Sequence, residues 1–219
     1  VSVTGEQVAE PRTPLRERVR QELQARIADG RLLPGDRIFE QDLAAEMGIS
    51  RVPVREAIRM LQSEGFVDVP PGRRGVFVRG LDRQQAKELF EVREALEVYA
   101  ARLAAERAEP ADVVLLAELA ERGRKAYEAG AIDEMSDANG AFHDKLVELS
   151  GNELLASMLE PLHGRLAWLF RMNLEPERVC REHEAIQAAI TAGDADRAAE
   201  VAKQHVLSSR RMVLERMLT

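Results

Sequence analysis

Residues 50–65, Ser-Arg-Val-Pro-Val-Arg-Glu-Ala-Ile-Arg-Met-Leu-Gln-Ser-Glu-Gly, constrain this chain more than any other stretch. They read as a helix: Ser50 suits the N-cap, where its hydroxyl can accept an orphan backbone N–H, Pro53 suits the first turn, and Gly65 ends the run. Val54, Ile58 and Leu61 recur at helical spacing and predict a buried stripe, while Arg51, Arg55 and Arg59 stand four apart beside it. A short helix that buries one side and presents arginines near its N-terminus fits a DNA major groove. The plainer alternative is a surface helix with scattered arginines.

The flanking residues argue against that alternative. Phe39 to Met47 form a second short amphipathic segment, and Gly48-Ile49-Ser50 is the tight link of a helix-turn-helix. Beyond Gly65, Phe66–Val69 and Gly75–Val78 are β-rich, and Pro70-Pro71-Gly72-Arg73-Arg74 joins them into a hairpin with a basic tip. Helix, helix and basic hairpin make a winged helix. Candidate DNA-contacting residues are Arg37, Gln41, Ser50, Arg51, Val52, Pro53 and Arg55, with Gly72 and Arg74 on the wing.

Residues 12–79 resemble the DNA-binding half of the GntR family of bacterial transcription regulators. The runs that carry the likeness are Leu33-Pro34-Gly35-Asp36-Arg37, Leu43 to Gly48, and Ser50 to Ala57. Val52 stands where many members have Thr, which exchanges a hydroxyl contact to DNA for an apolar one.

Charge distribution is consistent with that resemblance. The whole chain carries −7, which alone argues against nucleic acid, yet residues 12–80 hold 13 Arg and 10 acids while residues 81–219 carry a net −8. The candidate DNA reader is basic and the remainder acidic. No apolar run approaches the ~18 residues that a membrane span needs. No charged start precedes an apolar core, and the single cysteine, Cys180, excludes an intrachain disulfide; the expectation is a reducing cytoplasm.

Residues 1–11 predict a polar arm. Residues 14–29 predict the first helix, and Gly80-Leu81-Asp82 a hinge with Asp82 as N-cap. From 82 to 219 the pattern is all helical, in six segments over 82–108, 110–129, 131–150, 152–172, 174–192 and 194–217. The expected fold is therefore mainly α: a winged helix-turn-helix over 12–79 and an all-α bundle over 82–219 for effector binding and dimerisation.

All four histidines lie in that bundle. His143 falls on an apolar face with Ile132, Met135, Phe142, Leu146 and Val147, and Asn139 lies one turn earlier. His183 sits among Val179, Ile186 and Ile190, and His205 among Ala198, Val201, Ala202 and Met212. One such histidine is usually a hydrogen-bonded core residue. Three on separate helices predict a divalent transition-metal site with open positions, for zinc first and nickel or manganese as alternatives. His163, at the edge of a face with Leu159, Leu166 and Phe170, reads as core or cavity wall, and Cys180 as a buried free thiol. The helix after the hinge is expected to bury Leu89, Val92, Leu96, Tyr99 and Leu103, with Arg93 at the edge of that arc. Arg93 either pairs with Glu97 or helps bind a small carboxylate.

Residues 82–219 resemble the helical effector domain of the FadR-type branch of the same family, through Glu91 to Glu97, Asn139 with Phe142-His143, Ser150-Gly151-Asn152, Glu182 to Ile186, and His205. That resemblance implies Asn139, His143, His183 and His205 at the metal, and Arg93 with the three histidines at an organic-acid effector. It also implies a homodimer on a pseudo-palindromic operator and a repressor-type role. Metal-holding members carry an acid where this chain has Asn139; six helices suit the VanR-type subgroup. The alternatives are a regulator that senses metal alone and a metal-dependent hydrolase using Glu182 or Glu184, neither clearly on the histidine face.

Overall fold

The structure, a computed structural model, describes residues 13–70, 72, 74–170 and 175–217, and within 166–170 the backbone only. The expected arm over 1–11, and Pro71 and Arg73 of the expected wing tip, lie outside the described residues, as do the side chains of Leu166 and Phe170.

The first half follows the order α1 (Leu15–Ala28), β1 (Arg37–Ile38), α2 (Glu40–Glu46), α3 (Arg51–Ser63), β2 (Val67–Asp68), β3 (Val76–Val78). Val19, Leu23 and Ile27 of α1, spaced by four, meet Val54, Ile58 and Leu61 of α3 in one apolar core. Gly48 turns the chain between α2 and α3 at φ +64, a conformation in which a Cβ would be strained. Ser50 is the N-cap residue of α3, but its hydroxyl makes no capping bond, so the expected cap is absent. The sheet has one strand more than the hairpin predicted: β1 pairs antiparallel with β3 (Arg37↔Phe77, Ile38↔Val76), on the side opposite β2. Two residues are too short to show a period of two, which is why β1 left no signal.

Six helices follow among the described residues: α4 (Arg83–Arg107), α5 (Pro110–Glu128), α6 (Ile132–Leu149), α7 (Glu153–Phe170), α8 (Pro176–Thr191) and α9 (Ala195–Arg216). α4 opens on a capping box: Gln85 N donates to Asp82 Oδ1 at 2.8 Å, and Asp82 N donates to Gln85 Oε1 at 3.1 Å. At 25 residues α4 is about 37 Å long. It runs through the bundle, packed most extensively on α9 and also on α6, α7 and α8, while α5 covers α6 and α8.

The phase of α4 departs from the expected arc. Val92 and Tyr99 are 47% and 51% exposed, whereas Arg93 and Glu97 are buried with Leu89, Phe90, Ala100, Leu103 and Ala104. The alanines give α4 a slim side for close helix packing, and the charged pair falls on that side. Ile132, at the first position of α6, is likewise exposed rather than on the core face.

Asp82→Ala removes an exposed cap and nothing else. It should lower stability by about 1 kcal/mol, read as a lower thermal midpoint, with Asp82→Asn near wild type; an unchanged midpoint in the alanine variant would show that the box does not hold α4.

Candidate functional site

At the centre of the bundle α4, α6, α8 and α9 bring five polar side chains together in an otherwise apolar core. Arg93 and Glu97, one turn apart on α4, are buried, and Arg93 Nε donates to Glu97 Oε1 at 2.6 Å. His143, His183 and His205 are also buried. One nitrogen from each lies within 4.8 Å of the other two. The expected convergence of three histidines from three helices is therefore what the packing produces.

The geometry carries a donor set for a cation. His205 Nδ1 donates to Glu182 Oε2 at 2.9 Å, and Ser208 Oγ donates to both oxygens of that carboxylate. This bond fixes the proton on Nδ1 and leaves a lone pair on Nε2. His205 Nε2 lies 3.3 Å from His143 Nε2, which Arg93 Nη2 approaches at 3.3 Å. Tetrahedral ligands at 2.0–2.1 Å from zinc are themselves about 3.4 Å apart. His183, stacked on Phe142 with ring centroids 4.1 Å apart, keeps a buried Nε2 with no hydrogen-bond partner. Converging lone pairs and a buried unsatisfied ring nitrogen fit a divalent metal better than a plain hydrogen-bonded core.

Protonation favours the same chemistry. Burial holds His143 well below the ordinary histidine value, against the pull of Glu97, and holds His183 there too, with His205 and Arg93 adding to it. Neutral imidazoles are the ligating form. Burial alone would raise the Glu97 carboxyl, but Arg93 first and the bonded His163 after it outweigh burial and keep it ionised.

A cavity of about 30 Å³ joins Arg93 and the three histidines, lined also by Asn139, Met135, Cys180 and Ser209. That is space for an ion and one or two waters. Asn139 thus reaches the site. Cys180 lines the cavity outside both convergent donor sets, and burial pushes its thiol up, away from thiolate.

Two residues were underread from sequence. His163 is more than cavity wall: its Nε2 bonds Glu97 Oε1, and Glu97, His143 and His163 form a second convergent set. Glu182 does reach the histidines, as the partner that orients His205, while Glu184 faces Arg124 at 3.7 Å. A glutamate next to a buried histidine was the available hint.

The other candidate surface lies on the first half. Arg37, Gln41, Arg51 and Arg55 border one shallow groove of about 310 Å³, and Gly75 at the root of the wing closes its end. Ser50, Val52 and Arg74 are exposed, as is Gly72 with φ +79, and Pro53 is half-buried in the first turn of α3. Glu40 at the start of α2 accepts from Arg55 Nε at 2.8 Å and from Arg51 Nη2 at 3.3 Å, holding the two side by side.

Comparison with known proteins identifies both halves of the chain. Residues 15–78 match the gntR family of bacterial regulatory proteins, and residues 88–208 match the FCD domain. The chain belongs to the GntR family. It is 31% identical over 192 residues to the HTH-type transcriptional regulator YdhC of Bacillus subtilis, covering 85% of this chain and 84% of that one. The Nta operon transcriptional regulator of Aminobacter aminovorans is 31% identical over 183 residues, 83% of this chain and 86% of that one. The solved structure of Escherichia coli McbR/YncC superposes with a TM-score of 0.84 at 25% identity, over 93% of this chain and 99% of that one. The GntR protein is thus a transcription regulator of the FCD branch and not an enzyme, which removes the hydrolase alternative. No helix among the described residues is long and apolar enough to cross a membrane.

Glu97→Ala leaves Arg93 buried without its carboxylate and should cost about 3–5 kcal/mol in denaturant unfolding; a loss under about 1 kcal/mol would mean the pair is not buried in solution. The pH dependence of the metal-free chain has a defined sign. His143 and His183 have depressed folded pKa values, so below about pH 6.5 the unfolded chain binds protons that the folded chain does not, and stability falls. His163 is raised: burial would lower it, but Glu97 and Asp144 outweigh burial, so its contribution is present below pH 6.5 and lost as pH rises through its folded value. With chelator present, thermal midpoints should drop between pH 7 and 5, and more steeply in His163→Gln; a midpoint that rises on acidification would contradict the neutral pair.

Proposed function

We propose that this regulator binds operator DNA under the control of a divalent metal held by His143, His183 and His205, with Asn139 as an oxygen donor beside them. The observation that carries this reading is the meeting of His143 Nε2 and His205 Nε2 at 3.3 Å beside the unsatisfied His183 Nε2. Zinc suits three neutral nitrogen donors best, with nickel and manganese as alternatives. When bound, the ion supplies positive charge and open coordination positions. Arg93, one guanidinium nitrogen away from His143, is placed to receive a small organic-acid effector at those positions. The cavity's small size supports a second reading, a regulator that senses the metal alone, because an acid larger than a few atoms would require side chains to move.

On the DNA side Arg51 and Arg55, exposed at the start of α3 and aligned by Glu40, are placed to read base edges. Arg37 and Gln41 flank them across the groove, and Ser50, Val52 and Pro53 are at the helix start. Gly72 and Arg74 bring the wing to the phosphate backbone. A two-fold homodimer would set two such helices on a pseudo-palindromic operator, in a repressor-type role in the cytoplasm.

Protein purified without an affinity tag should contain about one zinc-type ion per chain and gain thermal stability with added zinc, by mass action, with affinity falling below about pH 6. His183→Ala should lose both. Sub-stoichiometric metal in both proteins, with no stabilisation by zinc, nickel or manganese, would leave the histidines as core residues. On duplexes selected by the wild-type chain from a random-sequence pool, Arg55→Ala should cost about 1–3 kcal/mol of binding with an unchanged thermal midpoint, and Arg74→Ala should chiefly flatten the salt dependence. Unaltered affinity in Arg55→Ala would overturn the assignment of α3.

A further inference from the structure

The polar contacts at the bundle centre do not stop at the histidines. His205 Nε2 faces His143 Nε2, Arg93 Nη2 reaches that same His143 nitrogen, Arg93 Nε bonds Glu97, and Glu97 bonds His163 on α7. The residue after His163 is Gly164, and there the bundle meets the DNA-binding half. A Cβ built on Gly164 would lie 2.5 Å from Cζ of Phe66, so only glycine admits the Phe66 ring without displacement. Phe66 follows the end of α3: its N donates to Leu61 O at 2.9 Å, and its ring belongs to the core that α3 shares with α1. Arg165 lies against Gly65, and Arg20 of α1 spans Glu64 and, at 3.3 Å, Glu160 of α7.

We propose that His163-Gly164 on α7 is the element that transmits the state of the three-histidine site to the recognition helix α3, through Glu97 on one side and Phe66 on the other. This rests on the metal reading above. The physical reason lies in one lone pair. His143 Nε2 has a single in-plane lone pair, and Arg93 uses it in the metal-free chain. Arg93 and a cation cannot share it, and like charge drives the guanidinium off. Arg93 is bonded to Glu97 and Glu97 to His163, so giving up His143 changes the load on α7.

Two features let α7 respond. Pro161 lies inside the helix two residues before His163 and removes a backbone hydrogen bond there, which makes a compliant point. The junction also carries uncompensated charge: Arg165 has a buried Nε without a hydrogen-bond partner and stands near Arg79, another positive charge. Coupling requires an element that one site biases and the other touches, and α7 touches both.

The test measures three quantities on the full chain: zinc affinity by calorimetry, affinity for wild-type-selected duplex DNA without zinc, and the same with saturating zinc. In wild type, zinc should change DNA affinity by a factor in the range of about 5–150, and DNA should change zinc affinity by the same factor. His163→Leu keeps the volume but cannot bond Glu97, and Gly164→Ala pushes against Phe66. Each keeps the three-histidine set and should still bind zinc and keep zinc-free DNA affinity within about threefold, while the coupling factor falls below about twofold. A coupling factor that survives in His163→Leu overturns the inference and leaves the metal reading standing, including if Gly164→Ala fails to fold. A wild-type chain that binds no zinc, or binds it with no change in DNA affinity, overturns the reading and the inference together.

Discussion

The buried Arg93–Glu97 pair is the constraint on which the rest of the bundle depends. Two opposite charges one turn apart on α4, 1% and 3% exposed, each carry a desolvation cost that their mutual attraction offsets only with further hydrogen-bonding partners. That requirement dictates the neighbours: His163 completes the Glu97 carboxylate and His143 takes an Arg93 N–H. Hydrophobic residues of the same volume would pack as well, so the pair is weak evidence for stability and stronger evidence for a site.

Polar satisfaction also explains the positions of the outer residues. Glu182 and Ser208 fix the ring of His205, and the stacking of His183 on Phe142 fixes the third ring. Glu40 does the same for Arg51 and Arg55 at the surface. In both places a neighbouring carboxylate holds the side chains proposed to make contact in one geometry, which would lower the entropy lost when a ligand or a base edge arrives.

Much of this was legible in the sequence. Caps and breakers such as Asp82, Pro110 and Pro176 gave helix ends within a few residues, and the 3.6 period placed His143, His183 and His205 inward. The phase of α4 was not legible, because a rule that turns charged residues outward cannot place Arg93 and Glu97 in the core and so put Val92 and Tyr99 there instead. β1 was too short to carry a period. The bond from His163 to Glu97 joins residues 66 apart, and no local pattern encodes which helices become neighbours.

Whether a metal sits at the meeting point of the three histidines is decided by anomalous diffraction at the zinc edge, on crystals grown with zinc and without chelator. One peak per chain is expected, about 2.0–2.1 Å from a nitrogen of each of His143, His183 and His205, with the Arg93 guanidinium no longer on His143 Nε2. No peak there, with Arg93 still bonded to His143, would contradict the metal reading.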